Sequence, residues 1–154
     1  MGHSATISQC RFVERCRITR IESGTSHRCS LYVANVDTAT RNVRLYTDVQ
    51  VKLPFEKFDK VKAVYTLSRH GKEIYKGSSV VVSPAFRYIM EIKNADLWWP
   101  RGYGEPALYD AKVELVDSDG TILSTDNKRV GLRTIQLDIQ TSTSHRIIRV
   151  NSVS

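Results

Sequence analysis

Residues 41–53, RNVRLYTDVQVKL, set the strongest constraint on this chain. Val43, Leu45, Val49, Val51 and Leu53 share one parity, and Arg44, Tyr46, Asp48, Gln50 and Lys52 share the other. Successive side chains of an extended strand point to opposite faces, so this alternation predicts a strand buried on one side only. Residues 108–117, LYDAKVELVD, repeat it, with Tyr109, Ala111, Val113 and Leu115 set against Asp110, Lys112, Glu114 and Val116. KVKAVYTL, SSVVVS, FRYIMEIK and KRVGLRTIQLD are further strand candidates, rich in β-branched and aromatic residues. No segment carries a convincing 3.6-residue period.

Turn chemistry separates these runs at short intervals. Ser23-Gly24, His70-Gly71, Tyr75-Lys76-Gly77 and Asp117-Ser118-Asp119-Gly120 supply residues that tolerate turn dihedrals, and Asp119-Gly120 is the clearest hairpin signal. Residues 12–22 and 27–36 read as a hairpin around residues 23–26. LPFEKFDK, residues 53–60, reads as the crossover between sheets, with Pro54 ending a strand. Seven or eight short antiparallel strands predict an all-β, two-sheet antiparallel sandwich of immunoglobulin-like type over residues 5–139. The Cys-Trp-Cys spacing of antibody domains is absent. Residues 1–4 read as a tag remnant. The tail at 140–154 is Ser/Thr-rich and ends in a short apolar run without an evident partner, which suggests an extension toward a further domain.

The 154 residues are 41% hydrophobic and 25% charged, enough for a buried core. The formal net charge of +7 permits an anionic partner, but the cations are spread singly along alternating segments, as in Arg41-Asn42-Val43-Arg44. That is the pattern of a solvated sheet face, and it argues against nucleic acid as a partner. No apolar run approaches the ~20 residues of a membrane helix, no targeting signal opens the chain, and no membrane partner is expected. The compartment is not legible.

Cys10, Cys16 and Cys29 make an odd count without Cys-x-x-Cys spacing, which predicts buried thiols rather than a structural zinc site. In the 12–22/27–36 hairpin Cys29 would lie opposite Arg20, which disfavours a bridge to Cys16. His3, His27, His70 and His145 are scattered, and His27 and His70 sit beside turns, where solvation is the ordinary case. Asp117, Asp119 and Asp126 flank a turn and are expected in solvent, while Glu14, Asp48, Asp110 and Glu114 occupy outward strand positions. Gly102-Tyr103-Gly104 lacks the further glycine and the helix of a phosphate loop. No catalytic constellation, metal-ligand spacing or cofactor motif results, so the residues predict a non-catalytic domain without a cofactor.

Residues 97–137 nevertheless resemble the immunoglobulin-like sandwich of glycoside hydrolase family 2. Leu97-Trp98-Trp99-Pro100, Pro106-Ala107-Leu108-Tyr109, Asp119-Gly120 and Val130-Gly131-Leu132-Arg133-Thr134-Ile135 follow the order of that domain's closing elements. The doubled tryptophan with Gly102-Tyr103-Gly104 is most similar to the β-mannosidase branch, and next to the exo-β-glucosaminidase branch. The resemblance implies a jelly-roll domain before the sandwich and a (β/α)₈ barrel after it. The barrel's two catalytic glutamates would hydrolyse β-mannosides or a related glycan with retention. The chain holds no Asn-Glu pair and is too short for a barrel, so no catalytic residue carries over.

The candidate contact residues are Trp98, Trp99, Pro100 and Tyr103. Adjacent strand residues point to opposite faces, so one indole should enter the core and the other face outward. For the outward ring, packing against a neighbouring domain is the leading reading, burial under a loop the second and sugar stacking the third. The sugar-stacking reading would make the chain an autonomous carbohydrate-binding module. Arg133 is either an interdomain ion-pair partner or an ordinary outward arginine, and Gly131 marks a bulge or a close backbone approach.

Overall fold

The computed structural model describes residues 25–140 and 145–151. Among these residues nine strands follow in order: β1 (Ser26–Asp37), β2 (Asn42–Lys52), β3 (Lys62–Arg69), β4 (Lys72–Val80), β5 (Ala85–Ile92), β6 (Leu108–Val116), β7 (Ile122–Gly131), β8 (Ile135–Gln140) and β9 (His145–Val150). They form three antiparallel sheets, ordered β1-β2-β5, β4-β3-β6-β7 and β8-β9. The only helix among the described residues is a 3₁₀ turn at Phe55–Lys57, and none is long and apolar enough to cross a membrane.

The first two sheets close on each other as a sandwich. Val43, Leu45, Val49 and Val51 of β2 and Met90 and Ile92 of β5 form one buried cluster with Ala63, Tyr65 and Leu67 of β3 and Ala111, Val113 and Leu115 of β6. The alternation in residues 41–53 and 108–117 therefore sorts side chains as expected. Burying each such aliphatic side chain is worth about 1.5–3 kcal/mol, which is what holds the two layers together. The crossover at 53–60 does carry the chain from the first sheet to the second, and Asp119-Gly120 turns β6 into β7, with Gly120 at φ 86° donating its N–H to the Asp117 carbonyl at 3.0 Å.

Across the sandwich Tyr65 stacks on Tyr88 with ring centroids 3.9 Å apart. The hydroxyls of Tyr75 and Tyr88 are 3.0 Å apart, and those of Tyr65 and Ser79 are 3.1 Å apart. This cluster corrects the turn expected at Tyr75-Lys76-Gly77, which lies in the middle of β4, where Gly77 pairs with Tyr65. A Cβ on Gly77 would sit 2.2 Å from the Tyr88 hydroxyl oxygen, so the glycine answers to packing and not to a turn. Consequently β4 begins at Lys72 and takes in only the first half of SSVVVS.

Two further expectations change at the end of the chain. KRVGLRTIQLD is not one strand: β7 stops at Gly131, Leu132 turns fully inward, and β8 begins at Ile135. The apolar run near the C-terminus does have a partner, since β9 pairs with β8 from Gln140↔His145 to Ile135↔Val150. The expected 12–22 strand, Cys10, Cys16, Glu14 and His3 lie outside the described residues. β1 itself pairs with β2, placing Cys29 opposite Val49.

Candidate functional site

The doubled tryptophan lies in the connection between β5 and β6, a segment held in place at several points. Ala95 N–H donates to the Arg41 carbonyl at 2.8 Å, and Asp96 N–H donates to the Tyr109 hydroxyl at 2.8 Å. Trp98 N–H donates to the Leu132 carbonyl at 2.9 Å, and Trp99 N–H to the Glu105 carbonyl at 3.2 Å. Trp98 also forms a bridge pair with Pro106. Between these anchors the chain reverses, Tyr103 N–H closing onto the Pro100 carbonyl at 3.0 Å and Gly102 adopting φ 93°.

Both indoles are half-buried, on different supports. Trp99 packs against the sandwich core, and Gly104 lies so close beneath it that a Cβ there would meet Trp99 Cγ and Cδ1 at 2.9 Å. Trp98 sits over Gly131, where a Cβ would meet its Cγ and Cδ1 at 3.0 Å. Gly104 and Gly131 are therefore glycines because an indole occupies the space of a side chain. The guanidinium of Arg133 lies 4.0 Å from the Trp98 ring centroid, a cation–π geometry worth about 0.5–2 kcal/mol. Pro100 is half-buried, and Tyr103 projects from the loop with 81% of its surface exposed.

Two residues outside the sequence-based candidates fasten this loop. Arg69, at the end of β3 with its side chain 12% exposed, donates to the Asp96 carboxylate and to Glu105 at 2.9 Å, bracketing the tryptophans from both sides. Its guanidinium also lies 5.8 Å from the Tyr109 ring centroid. Asn151, fully buried at φ 50°, accepts from Thr134 N–H on Oδ1 at 2.9 Å and donates through Nδ2 to the Trp98 carbonyl at 2.8 Å. Neither role was legible, because nothing local in the sequence distinguishes these residues from a surface arginine or a tail asparagine.

A second polar group lies between β1 and β7, which end their respective sheets among the described residues. His27 and Asp126 are buried, at 3% and 4% exposure, contrary to the solvated positions expected for both. His27 Nδ1 is 2.8 Å from Ser124 Oγ, and the Cys29 thiol donates to Asp126 Oδ2 at 2.8 Å. Lys128 donates to the Cys29 carbonyl. Burial pulls the His27 imidazole below its usual pKa, and the nearby Asp126 opposes that pull in part. Two-residue spacing was the missed signal. His27 and Cys29 share one face of β1, and Ser124 and Asp126 share one face of β7, so each polar pair faces the interior together. One ring nitrogen of His27, Cys29 Sγ and an Asp126 oxygen all lie within 4.8 Å of one another.

The remaining carboxylates have ordinary roles. Asp48 and Asp110 point outward and pair with Arg87 and Arg129 at 2.6 and 3.2 Å, and Glu114, half-buried, pairs with Lys112 at 2.6 Å. His70 stays exposed at its turn, and Asp119 likewise, whereas Asp117, expected in solvent, is half-buried and paired with Lys57 at 2.7 Å.

The chain is similar to known proteins over most of its length. The family model described as Glycosyl hydrolases family 2 matches residues 15–133. Beta-mannosidase B of Aspergillus flavus is 34% identical over 120 residues, covering 76% of this chain and 14% of that protein. Beta-mannosidase B of Aspergillus clavatus is 31% identical over 137 residues, covering 82% of this chain and 16% of that protein. Among solved structures, the β-D-mannosidase of Dictyoglomus thermophilum superposes with a TM-score of 0.64 at 20% identity, covering 82% of this chain and 16% of that one. A Bifidobacterium dentium β-glucuronidase superposes with a TM-score of 0.62 at 18% identity, over 80% of this chain and 19% of that one. At those identities the structural likeness is one of fold. The chain belongs to glycosyl hydrolase family 2. It spans about a seventh of the length of the Aspergillus flavus relative.

Proposed function

We propose that this chain is the non-catalytic sandwich of a β-mannosidase-like, retaining glycoside hydrolase. It holds a jelly-roll domain and a catalytic (β/α)₈ barrel in a fixed relation and supports the barrel's hydrolysis of β-mannosides. The observation that carries this reading is the dense anchoring of the 94–106 loop. Backbone hydrogen bonds, the Arg69 clamp, the Arg133 stack and the Asn151 amide all converge on it, and its tip offers Pro100 and Tyr103 outward. An anchored loop with an exposed aromatic tip suits a docking surface against a neighbouring domain. Sugar stacking is less well served, because Arg133 covers one face of Trp98 and Gly104 lies against Trp99.

The similarity to Beta-mannosidase B supports the assignment of the activity to the longer protein. Within the chain, the outward carboxylates are engaged with cations on strand faces rather than facing one another across a cleft, which supports a non-catalytic role. The test is to incubate the purified chain with an aryl β-mannoside while following tryptophan emission and acrylamide quenching during a manno-oligosaccharide titration. The scaffold reading expects no turnover and no saturable change in emission. Turnover would sink it, and a saturable blue shift with protection from quencher would replace it with a carbohydrate-binding module.

A further inference from the structure

We propose that His27, Cys29 and Asp126 form a binding site for a zinc-class divalent cation that pins β1 to β7. The three side chains come from strands of different sheets, yet their ligand atoms lie within 4.8 Å of one another and all three residues are buried. Thiolate, imidazole and carboxylate are the ligand types zinc takes, at about 2.0–2.3 Å, and such bond lengths bring ligand atoms to within ~4 Å of each other. Calcium and magnesium, which select all-oxygen sets, do not suit a site with sulfur and nitrogen.

Two features set this group apart from a hydrogen-bonded latch. A ligating histidine ordinarily spends its second ring nitrogen on a polar neighbour that fixes the ring, and His27 Nδ1 already has Ser124 Oγ at 2.8 Å. The other ring nitrogen, Nε2, is buried and makes no hydrogen bond of ordinary geometry among the described residues, although the Val113 carbonyl also acts on the ring. A buried polar atom in that state calls for an ion or water to complete it. Charge also balances. Binding M²⁺ expels the Cys29 thiol proton to solvent, and thiolate plus carboxylate then cancel the two positive charges, so a neutral unit occupies the buried seam. The Cys29–Asp126 hydrogen bond is exchanged for two metal–ligand bonds, and the fourth position is left to water.

The seam is remote in sequence from the tryptophan loop, so this inference stands or falls independently of the scaffold role. The experiment uses the whole chain, stripped with chelator and titrated with Co²⁺ as the spectroscopic probe, then with Zn²⁺ in competition. One equivalent should bind with a sulfur-to-cobalt charge-transfer band. Cys29→Ser should abolish that band, and Asp126→Asn should weaken affinity about tenfold or more. A Cys10→Ser/Cys16→Ser double variant should retain both band and affinity. X-ray absorption of the zinc-loaded wild-type chain gives the answer without any variant. One sulfur among nitrogen and oxygen ligands is expected; no sulfur, two or more sulfurs, or no stoichiometric binding would overturn the site.

Discussion

The side-chain amide of Asn151 donates to the main-chain carbonyl of Trp98 at 2.8 Å, across 53 positions of sequence. The same residue bonds Thr134 through both its backbone N–H and its Oδ1. The β8–β9 hairpin is thereby tied directly to the tryptophan loop, at the end of the sandwich where β7 gives out.

Replacing Asn151 tests that tie. Asn151→Gly keeps a residue at ease at φ 50° and removes only the side-chain bonds, while Asn151→Ala adds backbone strain. We expect losses of about 1–2 kcal/mol for the glycine variant and about 1 kcal/mol more for alanine, read from urea unfolding. Equal stability of both variants with wild type would show the tie to be incidental.

The glycines beneath the indoles make a second test. In Gly104→Ala and Gly131→Ala the new methyl meets Trp99 at 2.9 Å and Trp98 at 3.0 Å respectively, and at Gly104 the φ of 156° adds backbone strain that Gly131 does not carry. Each should cost about 1–3 kcal/mol and shift tryptophan emission to the red as its ring is displaced. A change below ~0.5 kcal/mol with unaltered emission would mean the rings are not seated on these glycines.

Arg69 and Arg44 both make ion pairs, but Arg69 is half-buried, with its side chain 12% exposed against 52% for Arg44. Arg69→Met should cost about 2 kcal/mol and loosen the tryptophan loop, seen as easier acrylamide quenching. Arg44→Ala, which loses a surface pair with Glu91, should stay under about 1 kcal/mol. The order of the two losses in parallel denaturation curves decides the matter.

Alkaline pH addresses the tyrosine cluster. Burial is the leading cause raising both Tyr65 and Tyr75 to about 12, above the ordinary 10 of an unfolded phenol. Between those values the unfolded chain releases protons that the native chain holds, so the unfolded state binds fewer of them and stability falls as pH rises. The stabilising contribution is fully present below pH 10 and is lost by about pH 12. Tyr65→Phe should show a shallower decline in urea midpoint across this window than wild type. Parallel declines would sever Tyr65 from the effect.

The sandwich was legible because a strand buried on one face writes a period of two into the chain, as at Val43 to Val51. Errors arose where a residue's type answered to a distant neighbour. Gly77 reads as a turn residue but yields to the Tyr88 hydroxyl, and Leu132 reads as strand but surrenders its carbonyl to Trp98. His27 and Asp126 read as solvated because each flanks a turn in sequence, and only the approach of β1 to β7 buries them. The tryptophan loop was identified by its own residues, whereas Arg69 and Asn151, which fasten it, come from elements remote in sequence.

The strand order also bears on how the domain is born. β1, β2 and β5 form a complete sheet as soon as Ile92 has been synthesised, but β3 cannot close against β6 until Val116 follows, and β7 later still. At ribosomal speeds of about 5–20 residues per second, the nascent chain spends a second or more with only the β3–β4 half of the second sheet available to cover the apolar face of the first. That interval, before β6 and β7 complete the second sheet, is when the apolar interior is most open to aggregation.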